Sequence, residues 1–225
     1  MDRRLQSLVV AVFLVPAPGQ AQGAVSGQVT IMERESASTD DLGDAVVYLE
    51  PVGGARLRLA STNTAMNLQS RKFSPRVRVV GEGSLLAFTN QDPFNHNVFS
   101  KAPSGTFDTG VFGRGRTRET AFREAGVIPI YCDVHPKMTG YVIVLSTPYY
   151  AQAGTDGRFT IPRVPAGRYV VHAWHDRASG VTREVDITAA GATLAPVQLD
   201  ARGWRFVQHK NKRGLDYTSA RGDIY

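Results

Sequence analysis

The sequence predicts an all-β protein, and three features bear on that prediction. Short runs of β-branched and aromatic residues recur along the chain, each bounded by turn-forming residues. Glycine (22) and proline (12) supply the turns, and a hydrophobic content of 42% suffices for a sizeable core. No run of about 18 apolar residues occurs, so no ordinary membrane-spanning helix is expected.

Residues 1–23 read as a secretory signal peptide. Asp2-Arg3-Arg4 is a short basic start, Leu8 to Val15 is an apolar stretch, and Gly19-Gln20-Ala21 or Ala21-Gln22-Gly23 offers small residues for cleavage. A buried first strand is the poorer reading, because Pro16-Ala17-Pro18-Gly19 would interrupt it. Export to the periplasm or beyond bears on the chain's single cysteine, Cys132. Oxidising compartments normally pair cysteines, so an unpaired one needs another employment.

Ser26 to Ile31 and Asp44 to Leu49 read as strands around the polar loop Glu33 to Gly43, and Leu57 to Leu59 as a further short strand. They are grouped as an N-terminal extension of a first module over 24–147, although periodicity leaves a separate flanking sheet open. Leu85 to Asn90 reads as a mostly buried strand, and the polar turn Gln91 to Asn95 leads from it to His96. Gly126 to Tyr131 and Gly140 to Leu145 are two more strands, and the loop between them holds Cys132, His135 and Met138 in a C-x2-H-x2-M spacing.

That trio is three quarters of a blue-copper site. Thiolate and thioether sulfur favour copper, imidazole accepts both its oxidation states, and a His2Cys set with a weak axial Met defines the electron-transfer type. The second imidazole must come from elsewhere among five histidines, and His96, at a strand end, is the candidate. With 5 His and 4 Met in 225 residues, chance would place both at this spacing after a cysteine with a probability of about 0.0004. A buried free cysteine beside an ordinary loop histidine is therefore the weaker reading.

From about Met66 to Leu145 the chain resembles the cupredoxins, blue copper proteins of the plastocyanin and amicyanin type that include those labelled methylamine utilization proteins. The resemblance rests on Met66 to Pro75 (MNLQSRKFSP), Thr89-Asn90-Gln91-Asp92, His96-Asn97-Val98 and the loop CDVHPKM followed by Gly140-Tyr141-Val142. It implies a Greek-key β-sandwich holding one type 1 copper ion on His96, Cys132, His135 and Met138. Asn97 matches the family residue whose amide ties the first ligand segment to the cysteine loop. Asp133 departs from the usual Ser or Thr after the cysteine.

Thr147-Pro148 marks the expected boundary of a second module over 148–200. Gly154 to Ile161 is a turn into a strand, Pro165-Ala166-Gly167 turns again, and Arg168 to Trp174, Val181 to Ile187 and Leu194 to Leu199 are strands. The run DGRFTIPRVPAGRYVVHAWH resembles the carboxypeptidase regulatory-like, or transthyretin-like, β-sandwich, which implies a smaller structural or interaction module. His172 and His175, three apart on a strand, point to opposite faces and are read as ordinary strand residues. Residues 201–225 carry six Lys or Arg and two Asp, so this tail supplies +4 of the net +6 and reads as a solvated basic extension.

The function expected is that of an exported one-electron carrier, not an enzyme. Its expected partner is a redox protein such as a cytochrome c or a dehydrogenase, with no nucleic acid and no transmembrane anchor. Phe94 and Pro136 would form an apolar docking surface around the edge of His135, with Arg114, Arg116 and Arg118 as a basic rim. The rival readings are a copper storage or delivery protein and a β-rich interaction module without redox role. A multicopper enzyme is disfavoured, because Tyr131 and Asp133 stand where histidines would link the cysteine to further copper.

Overall fold

The computed structural model describes residues 22–34, 39–53 and 58–217. These form seventeen strands: β1 (Gln22–Met32), β2 (Val46–Pro51), β3 (Asn63–Gln69), β4 (Lys72–Ser74), β5 (Val77–Gly81), β6 (Ser84–Asn90), β7 (His96–Ser100), β8 (Phe107–Phe112), β9 (Thr117–Phe122), β10 (Gly126–Tyr131), β11 (Thr139–Leu145), β12 (Tyr150–Gln152), β13 (Arg158–Pro165), β14 (Gly167–His175), β15 (Ala178–Ile187), β16 (Ala192–Thr193) and β17 (Val197–Asp200). Helical structure among the described residues is limited to two single turns of 3-10 helix, and no helix there is long and apolar enough to cross a membrane. The all-β expectation holds.

Alternation decides which face each strand buries. In β6 (SLLAFTN) every second residue is buried, and β14 does the same from Tyr169 to His175. β7 is different: His96, Asn97, Val98, Phe99 and Ser100 are all buried. Its sheet position, between β10 and β8, covers its edges, and residues from the far end of the chain cover its outer face.

Strand pairing does not follow the expected grouping of β1 and β2 with the strands before Thr147-Pro148. β1 pairs antiparallel with β13 and parallel with β16 and β17, while β2 pairs antiparallel with β12 and β14. β1 and β2 therefore complete the sandwich of the C-terminal strands, around a core that includes Val25, Val29, Val47, Leu49, Phe159, Ile161, Val171 and Leu199. The strands of the intervening segment make two other sheets, ordered β5-β11-β10-β7-β8 and β4-β3-β6-β9. Met66, Leu68, Leu86, Phe88, Phe122, Ile128, Ile130 and Val142 fill the space between them. One sandwich is thus inserted between β2 and β12 of the other, so the second module does not simply follow the first. Periodicity could not reveal this, because alternation states which face a strand buries and not which strand lies beside it.

A third apolar cluster of Val46, Val77, Ile143 and Leu145 joins the two sandwiches, with Tyr141 packed edge-on against Trp174 at 5.1 Å. Beside it the Arg76 guanidinium bridges Asp44 (2.7 Å) and Asp176.

Several local expectations change. Residues 58–60 are irregular rather than strand, with Leu57 outside the described residues, and Leu59 packs into the joining cluster. The segment 1–21 also lies outside the described residues, but Gln22 and Gly23, placed in the signal segment, pair with Pro165 and Val164 at the start of β1. A register shift between Ala173 and His175 bends β14. His172 stacks on Tyr48 at 4.5 Å, and buried His175 bonds the Asp41 carbonyl at 3.1 Å, so neither histidine has a metal-like setting.

A fragment from Thr62 to Ser146 contains the whole inserted core and is expected to unfold cooperatively in denaturant. A fragment from Ala24 to Ser146 keeps β1 and β2 without partners and is expected to bind hydrophobic dye and aggregate. A well-folded, dye-free longer fragment would contradict the pairing.

Candidate metal centre

Three donors meet at one end of the inserted sandwich. β7 opens with His96, Cys132 follows β10 directly, and His135 lies on the short loop before β11. Two backbone bonds close that loop, from Cys132 N to the Met138 carbonyl (3.2 Å) and from Met138 N to the His135 carbonyl (3.0 Å). Cys132 Sγ lies 3.6 Å from His96 Nδ1 and 3.5 Å from His135 Nδ1, and the two nitrogens are 3.2 Å apart. A point equidistant from all three is about 2.0 Å from each, the length of ordinary metal–imidazole bonds. His96, Cys132 and His135 are the one such group of donors among the described residues, and all are buried. Met138, 2% exposed, packs in the same apolar cluster as Cys132.

Asp92 sets the state of His96. Its carboxylate accepts from His96 Nε2 at 2.8 Å, and from the backbone N–H groups of Ser70 (2.7 Å) and Arg71 (3.0 Å). The proton on Nε2 leaves Nδ1 as a bare lone pair facing the thiol, the orientation that carboxylates impose on metal-binding histidines. Burial opposes ionisation of Asp92, yet the bonds from Arg71, His96 and Ser70 outweigh it and hold its pKa below the usual carboxylate range. Burial lowers the pKa of His96 despite Asp92. At His135, burial together with His96 and Arg71 lowers it to about 4. Burial pushes the Cys132 thiol up, against the backbone N–H groups of Asn97, Val134 and His135 aimed at its sulfur. Two neutral imidazoles and a thiol whose proton a cation would replace are a donor set that fits a soft metal ion.

The Asn97 side chain does not tie the ligand segments directly. Its amide donates to Asp108 Oδ1 at 2.6 Å, and only its backbone N–H reaches the cysteine sulfur. Asp133 Oδ1 accepts from the backbone N–H of Lys212 at 2.9 Å, so its side chain faces the C-terminal segment. Phe94, half-buried, packs against both imidazoles at 5.4 and 5.2 Å. His135 is 8% exposed, and Pro136 is half-buried beside it. Of the three rim arginines only Arg118 is on a strand, stacked over Phe112, while Arg114 and Arg116 lie in the turn before β9.

Sequence reasoning missed two contributors. Asp92 was legible in principle, since D-x3-H places a carboxylate one turn before a ligand at a strand end. His209, which sits in the basic tail without a sequence partner, stacks on Tyr131 at 4.6 Å, and no local signal predicts that.

Comparison with known proteins gives partial likenesses. Residues 140–195 match the family described as polysaccharide lyase family 4, domain II, rather than a carboxypeptidase regulatory-like module. No curated protein matches the chain. Among solved structures, a purple cupredoxin from Nitrosopumilus maritimus is 26% identical, with 36% of this chain and 99% of that one covered at a TM-score of 0.33. The Cu(I) form of an amicyanin mutant is 19% identical over 44% of this chain and 99% of its own, at a TM-score of 0.36. An oxidized amicyanin mutant is 18% identical over the same shares, at 0.35. Scores this low add nothing to what the donor geometry says.

The depressed His135 pKa makes the metal-free protein sensitive to acid. The unfolded imidazole takes up a proton near pH 6.5 that the folded one refuses until about 4, so stability is level above 6.5 and falls as the pH drops between those values. Denaturant midpoints across pH should show this decline, and His135→Gln should reduce it, leaving the part due to His96. An equal decline in the variant would contradict the assignment.

Proposed function

We propose that this chain binds one copper ion through His96, Cys132, His135 and Met138 and carries single electrons between redox proteins. The observation that supports it is the buried triangle of two Nδ1 atoms and one sulfur, with sides of 3.2 to 3.6 Å. Two imidazoles and a thiolate, with a thioether on the same loop, suit copper in both oxidation states better than the tetrahedral sites of zinc. Copper held there would supply a one-electron couple.

The protein's part is rigidity and access. β7 and the doubly bonded loop fix the donors, and Asp92 fixes the His96 ring, so little rearrangement accompanies a change of charge. Burial of Cys132 and His96 favours a carrier over an enzyme that must admit a substrate. The His135 edge, with Phe94 and Pro136, is the place for a cytochrome c or dehydrogenase to approach. The buried ligands also disfavour storage or delivery, which needs exchangeable donors. The outer sandwich serves as an interaction module. The basic, apolar N-terminal segment supports export.

Protein loaded with Cu(II) is expected to be intensely blue or violet through thiolate-to-copper charge transfer, and Cys132→Ser is expected to abolish the colour. Colourless copper-loaded protein would refute the reading. Met138→Leu should keep the copper and raise the reduction potential, since losing a donor destabilises Cu(II) more than Cu(I). Voltammetry checks the sign, and a fall would place another group in the axial position.

A further inference from the structure

The chain after β17 returns to the metal loop. Trp204 anchors its start on the outer sandwich, with Arg177 stacked over the indole at 5.8 Å and Arg34 donating to its carbonyl at 3.1 Å. The segment then reaches the inserted sandwich, where His209 lies on Tyr131 (4.6 Å), with the edge of Phe99 at 6.1 Å. A tight turn follows. Asn211 Oδ1 accepts from Arg213 N and Leu215 N, and Asn211 N donates to the Leu215 carbonyl. Gly214, at φ 80, is the residue that such a turn requires.

The turn sets three bonds around the donors. Lys212 N donates to Asp133 Oδ1 (2.9 Å), Lys212 Nζ pairs with Asp108 Oδ2 (2.8 Å), and Tyr217 Oη donates to the Cys132 carbonyl (3.1 Å). Asp108 is also the acceptor of the Asn97 amide. A continuous path therefore runs from the His96-Asn97 segment through Asp108 and Lys212 to Asp133, next to the cysteine. It joins the two ligand-bearing segments by way of a third piece of chain.

We propose that residues 201–217 form a clamp that positions the cysteine loop, with Lys212 and Tyr217 as its positioning residues. The clamp also connects the loop to the outer sandwich, since Trp204 and Arg177 hold its other end. The expected basic extension stays largely exposed over these residues, but it is tied down at Lys212: its charge is paired with Asp108, and its backbone N–H occupies Asp133. This deepens the copper reading and rests on it for the spectroscopic arm of the test alone.

The test uses the full chain with Tyr217→Phe, Asp133→Ala and Asp133→Asn. In metal-free protein, amide exchange of residues 132–138 should quicken about fivefold in Tyr217→Phe and Asp133→Ala, the factor for losing one hydrogen bond. Asp133→Asn keeps the acceptor oxygen and should stay near the native rate. Amides of β14 and β15 should not change. In copper-loaded protein the first two variants should shift the relative intensities of the thiolate-to-copper bands with copper still bound one to one. Native exchange rates at the loop in both, or equal quickening throughout the protein, would overturn the clamp. If the native chain takes up no copper, the copper reading fails, and the metal-free exchange rates still decide the clamp.

Discussion

The buried carboxylate of Asp92 is the interaction on which the proposed metal centre depends. It joins the β3–β4 turn to the first ligand by accepting from Ser70 N, Arg71 N and His96 Nε2. Ser70 and Arg71 both adopt left-handed backbone, at φ 53 and 56, where a non-glycine residue costs about 1–2 kcal/mol. Each bond to an ionised acceptor contributes about 1.5–3 kcal/mol, so three can offset that strain together with several kcal/mol of desolvation for a buried charge. The same bonds choose the His96 tautomer. Turn geometry, charge burial and ligand orientation are consequences of one group.

The nested arrangement explains how a short loop can be held so firmly. β10 and β11, which flank the C-x2-H-x2-M loop, pair with each other along six residues, and β11 runs parallel to β5 for five more. β11 then enters the joining cluster through Ile143 and Leu145. One end of this hairpin carries the donors and the other contacts the outer sandwich. The C-terminal segment closes the circuit on the opposite side, so the loop is supported by both sandwiches.

Much of this was legible in the residues and some was not. The strands around the ligands stood out because Leu85 to Asn90, Gly126 to Tyr131 and Gly140 to Leu145 combine β-branched residues with turn signals. The donor set was legible because sulfur and imidazole at fixed spacing have few other uses. β3, β5, β8 and β9 carry Asn, Thr, Arg and Glu among their apolar positions, which blurs the alternation. The partners of β1 and β2 were hidden for a deeper reason, since pairing over more than a hundred residues leaves no local trace. The same holds for Tyr217 and Lys212, whose roles exist only once the chain has returned to the loop.

X-ray absorption at the copper edge tests the central claim most directly, because it counts the donors around the ion. The account predicts two nitrogen scatterers at about 2.0 Å and one thiolate sulfur in the first shell, with imidazole outer-shell scattering from both rings. A first shell without sulfur, or one made only of nitrogen and oxygen donors, would contradict it.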